Sequence, residues 1–166
     1  ILNGTCNYIL TRMENEGLAF DKVLKAAQKA GYAEAEPSLD IDGIDTAHKA
    51  ILLASLAYGF HVPMDQVLVE GIRNVSAMDV KFAAEFGYRI KLLAVVRREG
   101  DEIEVRVHPT LVPLGHMLAS VSNVFNAAMV RGDLSGDTLY YGRGAGREPT
   151  ASTVIGDIGD IARNLM

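Results

Sequence analysis

Apolar residues recur at helical spacing through the first half of the chain. This pattern predicts helices over residues 7–16, 20–30, 45–58 and 76–86. Asn3 or Thr5 is placed to cap the first of these helices, and a glycine follows the end of each of the four. The third helix is apolar nearly all round between residues 50 and 57, which is typical of a helix buried on most of its faces.

After residue 88 the pattern changes to short runs rich in β-branched residues. Strands are predicted over residues 89–98, 102–108, 123–131 and 138–142. A hairpin turn at residues 99–101 joins the first two, and alternating charged and apolar residues give the second strand one solvent-facing side. A short helix over 114–120 and a closing helix over 152–165 complete the pattern. Helices first and an antiparallel hairpin later indicate an α+β domain.

The composition narrows the class of protein. The 166 residues, 49% of them hydrophobic, suffice for one domain with a real core. The formal net charge of −5 and the lack of a basic stripe argue against a partner nucleic acid. The single cysteine, Cys6, excludes an internal disulfide and fits a reducing compartment. The longest apolar run is far too short to cross a membrane, so a cytoplasmic protein is expected.

No metal site is predicted from the sequence. The four histidines show no ligand spacing, and the segment starting at Asp40 lacks the glycine and glutamate positions of a calcium-binding loop. A dinucleotide-binding glycine motif within a βαβ unit is also missing. The chain is therefore not expected to contain a complete cofactor-binding domain.

The strongest candidate for chemistry lies within residues 31–49, where an acidic turn leads into an apolar helix. Asp45 and Lys49 are four residues apart, so they share one face of that helix. Two interpretations are open. One is an ordinary capped helix with a surface ion pair, and the other is a polar cleft for a zwitterionic small molecule.

The same segment resembles the signature of an enzyme family, homoserine dehydrogenase. The resemblance rests on Gly31-Tyr32-Ala33, Pro37, Asp40, Gly43, Asp45 and Lys49. Residues 2–10 are similar to the opening motif of that family's substrate domain, and residues 142–151 to the loop that returns toward its cofactor domain. Residues 69–74 and 87–93 also read as family sequence, so the resemblance covers essentially the whole chain. Glu36 departs from the signature, which more commonly has Asp, Asn or Ser before the proline.

The resemblance implies an oxidoreductase that interconverts L-homoserine and L-aspartate 4-semialdehyde with NAD(P), in the aspartate-derived pathway to threonine, methionine and isoleucine. We hypothesise that Lys49 and Asp45 act as a coupled catalytic pair, with Lys49 facing the substrate hydroxyl. Glu34 and Asp40 match the family's substrate-binding acids, and Tyr32 lies in the same wall of the substrate site. A second lysine is implied in the cofactor domain, which leaves open whether Lys49 takes the substrate's proton or only orients and polarises the substrate.

Two glycine-containing segments complete the predicted site. Backbone N–H groups of Gly4 and Thr5 at a helix start are suited to the substrate carboxylate, although Thr5 is equally well explained as a plain N-cap. A glycine-rich run near the end lets backbone approach a cofactor closely, although such a run by itself is most often a turn. The family match assigns cofactor binding there to Gly144, Ala145, Gly146 and Thr150.

The resemblance also sets expectations for the whole domain. It implies a mixed, largely antiparallel sheet with helices packed on one face, and a homodimer formed through this domain. Residues 1–166 are expected to be the substrate and catalytic domain, with the dinucleotide-binding domain upstream and absent from the chain. As an alternative, the isolated chain is a non-catalytic dimerisation module.

Overall fold

Helices dominate the first half of the chain. The structure, a computed structural model, describes residues 1–165. Its helices are α1 (Gly4–Glu16), α2 (Phe20–Lys29), α3 (Ser38–Ile41), α4 (Ile44–Tyr58), α5 (Ala77–Glu85) and α6 (Arg147–Asn164), with 3₁₀ helices at Met64–Gln66 and Met117–Ser120. The four helices predicted in this half are confirmed. The pattern does not predict α3, because a single turn is too short to show a helical period.

Two helices begin earlier than predicted, and features of their first turns explain why. α1 begins at Gly4 because Asn3 is the N-cap residue and its side chain accepts the N–H of Cys6. α6 begins at Arg147 rather than at residue 152. Pro149 lies in the first turn of α6, where a missing N–H costs no helical hydrogen bond.

The strands form two sheets. One is three-stranded in the order β1 (Leu68–Val69), β3 (Glu102–Pro113), β2 (Tyr88–Glu99), with β1 parallel and β2 antiparallel to β3. The other pairs β4 (Phe125–Gly132) with β5 (Gly136–Arg143) in antiparallel orientation. The predicted α+β class and the mixed, largely antiparallel strand arrangement are confirmed. The division into two sheets was not predicted, because strand periodicity carries no information on which strands pair.

Strand β3 runs five residues further than predicted and includes two prolines. Glu70 donates its N–H to the Val107 carbonyl oxygen at 2.8 Å, so Val107 directs its backbone groups away from β2. Pro109, two residues further along, directs its nitrogen to the same side. That edge of β3 is free of β1, whose pairing ends at Val107. A proline is tolerated there because no partner strand needs its N–H.

Two clusters of buried side chains form the core. The larger joins α1, α2 and α4 to one face of the three-stranded sheet, through buried residues such as Ile9, Val23 and Val107. The smaller includes Val112, Val121 and Ala127 and packs Leu93 of β2 toward β4 and β5. Helices therefore cover one face of the first sheet, as expected.

The prediction that α4 is buried on most of its faces is wrong for this chain. Its buried residues form a single stripe along Thr46, Ala47, Ala50, Ile51 and Ala54. On the other side, Leu52, Leu53 and Leu56 are 64%, 43% and 84% exposed. A helix with apolar residues on all sides is buried only where other elements pack against each face. Within residues 1–165, other elements pack against one face of α4 only.

Candidate active site

The predicted site gathers where the starts of α1 and α4 meet α3. Gly43 separates α3 from α4 and has a φ of 86°, in the left-handed region that favours glycine. A Cβ at Gly43 would also lie 3.2 Å from Val69 Cγ1. The chain can therefore turn sharply here and bring Asp40 of α3 next to Asp45 of α4.

Asp45 and Lys49 form the predicted pair on α4. Lys49 Nζ donates to Asp45 Oδ2 at 2.7 Å and to the Leu2 carbonyl oxygen at 3.2 Å. The side chains are 45% and 32% exposed for Lys49 and Asp45. A pair this exposed adds little to the stability of the fold, so fold stabilisation alone does not account for it.

Asn3 connects the two acids, and the sequence identifies it only as a possible cap. Its Nδ2 donates to Asp40 Oδ1 at 2.6 Å and to Asp45 Oδ2 at 2.9 Å. Its Oδ1 accepts the Cys6 N–H at 2.8 Å. Asn3 is 5% exposed. The site is thus an amide, two carboxylates and a lysine in one hydrogen-bonded cluster, which we call the Asn3 cluster: Asn3, Asp40, Asp45 and Lys49.

Gly4, Thr5 and Tyr32 adjoin the Asn3 cluster. Gly4 and Thr5 occupy the first turn of α1, where N–H groups have no acceptor within the helix. A Cβ at Gly4 would lie 2.9 Å from the Val124 carbonyl oxygen, so a side chain there would push against backbone. The Thr5 hydroxyl donates to the Tyr32 carbonyl oxygen at 2.9 Å and ties the acidic segment to α1. The Asn3 side chain, rather than Thr5, caps α1.

Glu34 is not joined to the Asn3 cluster within residues 1–165. Its residue is exposed, and only its carbonyl oxygen is bonded, by Gln28 Nε2 at 3.0 Å. Asp42, a nearby acid, pairs with Arg73 through two bonds of 2.8 Å. Hydrogen bonding to Arg73 holds the pKa of Asp42 below its ordinary value. Asp42 therefore tethers α3 to the residues after β1.

The glycine-rich segment connects β5 to α6. A Cβ on Gly144 would overlap Asn126 Nδ2, and Gly146, with a φ of 123°, precedes the first turn of α6. The Thr150 N–H donates to the Gly146 carbonyl oxygen at 3.1 Å. The contact with Asn126 thus explains Gly144, and the positive φ explains Gly146. Residues 144–148 and 150 are exposed and Pro149 is half-buried, and the sheets of residues 1–165 are a three-stranded β1-β3-β2 sheet and a two-stranded β4-β5 sheet.

Asn126 links this segment to the start of α1. It lies against Gly144, and a Cβ on Gly4 would be 3.6 Å from its Oδ1. That oxygen is buried without a hydrogen-bond partner in residues 1–165. The sequence gives no signal for Asn126, which occupies an ordinary position in a predicted strand.

Cys6 of α1 and Lys91 of β2 are buried polar groups. The Cys6 thiol donates to the Asp40 carbonyl oxygen at 3.1 Å, and burial, with the nearby aspartates, raises its pKa. Lys91 donates to the Val121 carbonyl oxygen at 2.6 Å and to Asn7 Oδ1 at 3.2 Å. Desolvation lowers the pKa of Lys91 to about 8. The Cys6 bond joins α1 to α3, and the two Lys91 bonds join β2 to α1 and to the connection between the two sheets.

Two further classes of feature are absent from residues 1–165. None of the helices there is long and apolar enough to cross a membrane. Nor does that part of the chain contain a group of three or more His, Cys, Asp or Glu residues able to hold a metal ion. Fold and site together define an α+β domain with a clustered amide, two acids and a lysine.

Comparisons with known proteins give the family. The sequence model for homoserine dehydrogenase matches residues 1–158, so the chain belongs to the homoserine dehydrogenase family. A homoserine dehydrogenase from Pseudomonas aeruginosa is 51% identical over 165 residues, which are 99% of this chain and 38% of that protein. A crystal structure of a homoserine dehydrogenase from Thiobacillus denitrificans matches with a TM-score of 0.96 and 52% identity, over 98% of this chain and 38% of that one. The family resemblance of the sequence is thereby confirmed.

A more distant structure carries a cofactor. A hyperthermophilic archaeal homoserine dehydrogenase mutant in complex with NADPH matches with a TM-score of 0.75 and 32% identity, over 95% of this chain and 44% of that one. This chain therefore spans less than half the length of the relatives it matches.

Proposed function

We propose that this chain is the substrate-binding and catalytic domain of an NAD(P)-dependent enzyme that interconverts L-homoserine and L-aspartate 4-semialdehyde in amino-acid biosynthesis. The observation that carries the proposal is the Asn3 cluster, in a chain of the homoserine dehydrogenase family. A zwitterionic amino acid needs carboxylate acceptors, N–H donors and a group facing its reacting oxygen. The cluster and the first turn of α1 offer all three kinds of group.

Each group has a role set by its chemistry. Asp40 accepts the substrate ammonium, and Glu34 joins it there when substrate is bound. The free N–H groups of Gly4 and Thr5, at the positive end of α1, bind the substrate carboxylate. Lys49, oriented by Asp45, donates to the substrate's hydroxyl or aldehyde oxygen. Tyr32, whose carbonyl oxygen accepts the Thr5 hydroxyl, forms the wall of the substrate site beside Thr5.

The cofactor is proposed to be NAD(P), bound mainly by a part of the parent protein outside residues 1–166. When bound, it exchanges hydride with the carbon that carries the reacting oxygen. Gly144, Ala145, Gly146 and Thr150 border it from this chain. Their exposure between the end of β5 and the first turn of α6 supports this assignment, and the NADPH in the complex of the archaeal relative supports a nicotinamide cofactor.

The test uses the full-length parent enzyme with Lys49→Ala or Asp45→Ala. Each variant is expected to lose at least about a hundredfold in kcat/KM, because Lys49→Ala removes the donor to the reacting oxygen and Asp45→Ala removes the acid that orients that donor. Lys81→Ala is the matched control, since Lys81 and Glu85 form the same kind of i,i+4 pair on α5, 3.8 Å apart. Near-normal turnover by either site variant would contradict the proposal.

We further propose that the parent forms a homodimer through this domain and works in the cytoplasm. Exposed apolar side chains, including Leu56 at 84% and Tyr140 at 65%, support a protein–protein contact. The free, buried Cys6 is compatible with a reducing compartment. Light scattering of the parent and of residues 1–166 should give dimers of both. A monomeric parent would contradict the proposal.

Residues 1–166 alone are expected to show no cofactor-dependent turnover, because most of the cofactor site is assigned to the rest of the parent. Homoserine oxidation by the purified chain would contradict that assignment. For the parent protein, membership of an enzyme family does not favour the alternative of a purely non-catalytic dimerisation module.

A further inference from the structure

We propose that Asn3 is a positioning residue that holds the Asp40 and Asp45 carboxylates side by side and so sets the affinity for the substrate's ammonium group. This inference rests on the proposed function. The side-chain hydrogen bonds of Asn3 are to Asp40, to Asp45 and to the Cys6 N–H, and none of them is to Lys49. Asn3 acts through the two acids.

Both donor hydrogens and the acceptor oxygen of the Asn3 side chain are engaged. Its amide nitrogen carries two hydrogens, one for Asp40 and one for Asp45, and its oxygen accepts the Cys6 N–H. The reversed amide would turn an oxygen toward two carboxylates and a nitrogen toward an N–H donor. The orientation of the amide is therefore fixed by its three partners.

The two acids need such a bridge. Asp40 and Asp45 belong to different helices, and like charges at short range repel each other. One buried amide that donates to both carboxylates offsets this repulsion without adding charge. Lys49 pairs with Asp45, whereas no cationic side chain in residues 1–165 pairs with Asp40. The Asp40 carboxylate is thus held by a neutral donor, and its charge is available to pair with the ammonium group of a ligand.

The bridge also fixes the acids relative to the opposite end of the substrate. The same Asn3 side chain caps α1, whose first turn carries the N–H groups of Gly4 and Thr5. One side chain, that of Asn3, therefore fixes the positions of both the acceptors for an ammonium and the donors for a carboxylate. An amino acid whose two charged groups lie a fixed distance apart is the ligand that this arrangement suits.

The experiment replaces Asn3 in the full-length parent enzyme by Ser or by Asp. Both side chains retain an oxygen that can cap α1, and neither has the two amide donors. Asn3→Ser is expected to raise KM for homoserine about tenfold, with kcat changed less than about threefold and KM for the cofactor unchanged. Asn3→Asp is expected to raise KM for homoserine further. A lower KM in Asn3→Asp would mean that negative charge, not positioning, sets affinity, and would overturn the proposal.

Two controls separate positioning from general stability. Ser76→Ala removes the N-cap of α5, a helix that carries none of the site residues, and should lower the melting temperature without raising KM. In Asn3→Ser/Asp40→Asn, the increase in KM should fall short of the product of the two single effects, because both changes disrupt one interaction. Fully multiplicative effects, or a raised KM in Ser76→Ala of the same size, would overturn the proposal.

The outcome can be separated from that of the proposed function. If Lys49→Ala and Asp45→Ala abolish turnover while both Asn3 variants keep the wild-type KM, only the positioning role fails. If Lys49→Ala and Asp45→Ala retain turnover, the catalytic assignment of the Asn3 cluster fails, and the positioning role that rests on it fails as well.

Discussion

Lys91 shows how the domain accommodates a charged side chain in its interior. The residue is 1% exposed, and its ammonium donates to the Val121 carbonyl oxygen and to Asn7. Desolvation is the main cause of its lowered pKa of about 8; Arg89 acts in the same direction and Glu14 opposes it. The ordinary value is 10.5. Between these two values the unfolded chain binds more protons than the folded chain, so stability rises with pH.

Replacing Lys91 by Met should remove this rise. The free energy of unfolding of the wild-type chain should increase relative to that of Lys91→Met, by up to about 3 kcal/mol, as the pH increases from about 8 to 10.5. Urea unfolding of both chains in this pH range measures the difference. Lys81→Met, at a side chain 69% exposed, is the control and should show no such trend. A difference for Lys91→Met that does not vary with pH would contradict this explanation.

At the scale of elements, the position of α3 is set by its contact with residues 71–73. The Ile72 N–H donates to the Ile41 carbonyl oxygen at 2.7 Å. A Cβ on Gly71 would overlap the same oxygen and the backbone of Asp42. Because α3 carries Asp40, this close backbone contact determines where one of the two bridged carboxylates lies.

Gly71→Ala should therefore affect both the fold and the site. The overlap with backbone is expected to cost about 2 kcal/mol in the free energy of unfolding and to raise KM for homoserine in the parent enzyme. Urea unfolding and steady-state kinetics measure the two effects. Gly115→Ala is the matched control, since a Cβ there meets nothing within 4 Å. A destabilised Gly71→Ala enzyme with normal KM would show that Asp40 does not depend on this contact.

At the scale of the whole molecule, apolar residues divide into a packed core and a large exposed set. Ile9 on α1 is 0% exposed and belongs to the larger core cluster. Ile161 on α6 is 60% exposed, and no residue of α6 is buried. The stability of the 166-residue chain therefore comes from helices α1, α2 and α4 against the first sheet, not from α6.

The same substitution at these two positions tests that division. Ile9→Ala should cost about 2–5 kcal/mol in the free energy of unfolding of the chain, because it removes packed methyl groups and leaves a cavity. Ile161→Ala should change it by less than about 0.5 kcal/mol. Urea unfolding of both variants measures the contrast. Equal losses would mean that α6 is packed in solution.

The sequence by itself determined the features that depend on neighbours a few residues away. The helical period predicts α1, α2, α4 and α5, and the hairpin signal predicts the pairing of β2 with β3. The bond between Asp45 and Lys49 follows from a spacing of four residues on a helix. Each of these rests on local backbone geometry, which nearby residues are sufficient to specify.

Only the tertiary structure decided the contacts between distant residues. The Asn3 amide meets Asp40 and Asp45 across 37 and 42 positions, and Lys91 meets Asn7 across 84. In the sequence, Asn3 is a possible cap and Lys91 a polar residue in a strand. The exposed face of α4 was likewise mispredicted, because apolar periodicity does not show whether another element covers it. Such contacts depend on how whole elements pack, and packing is a property of the folded chain.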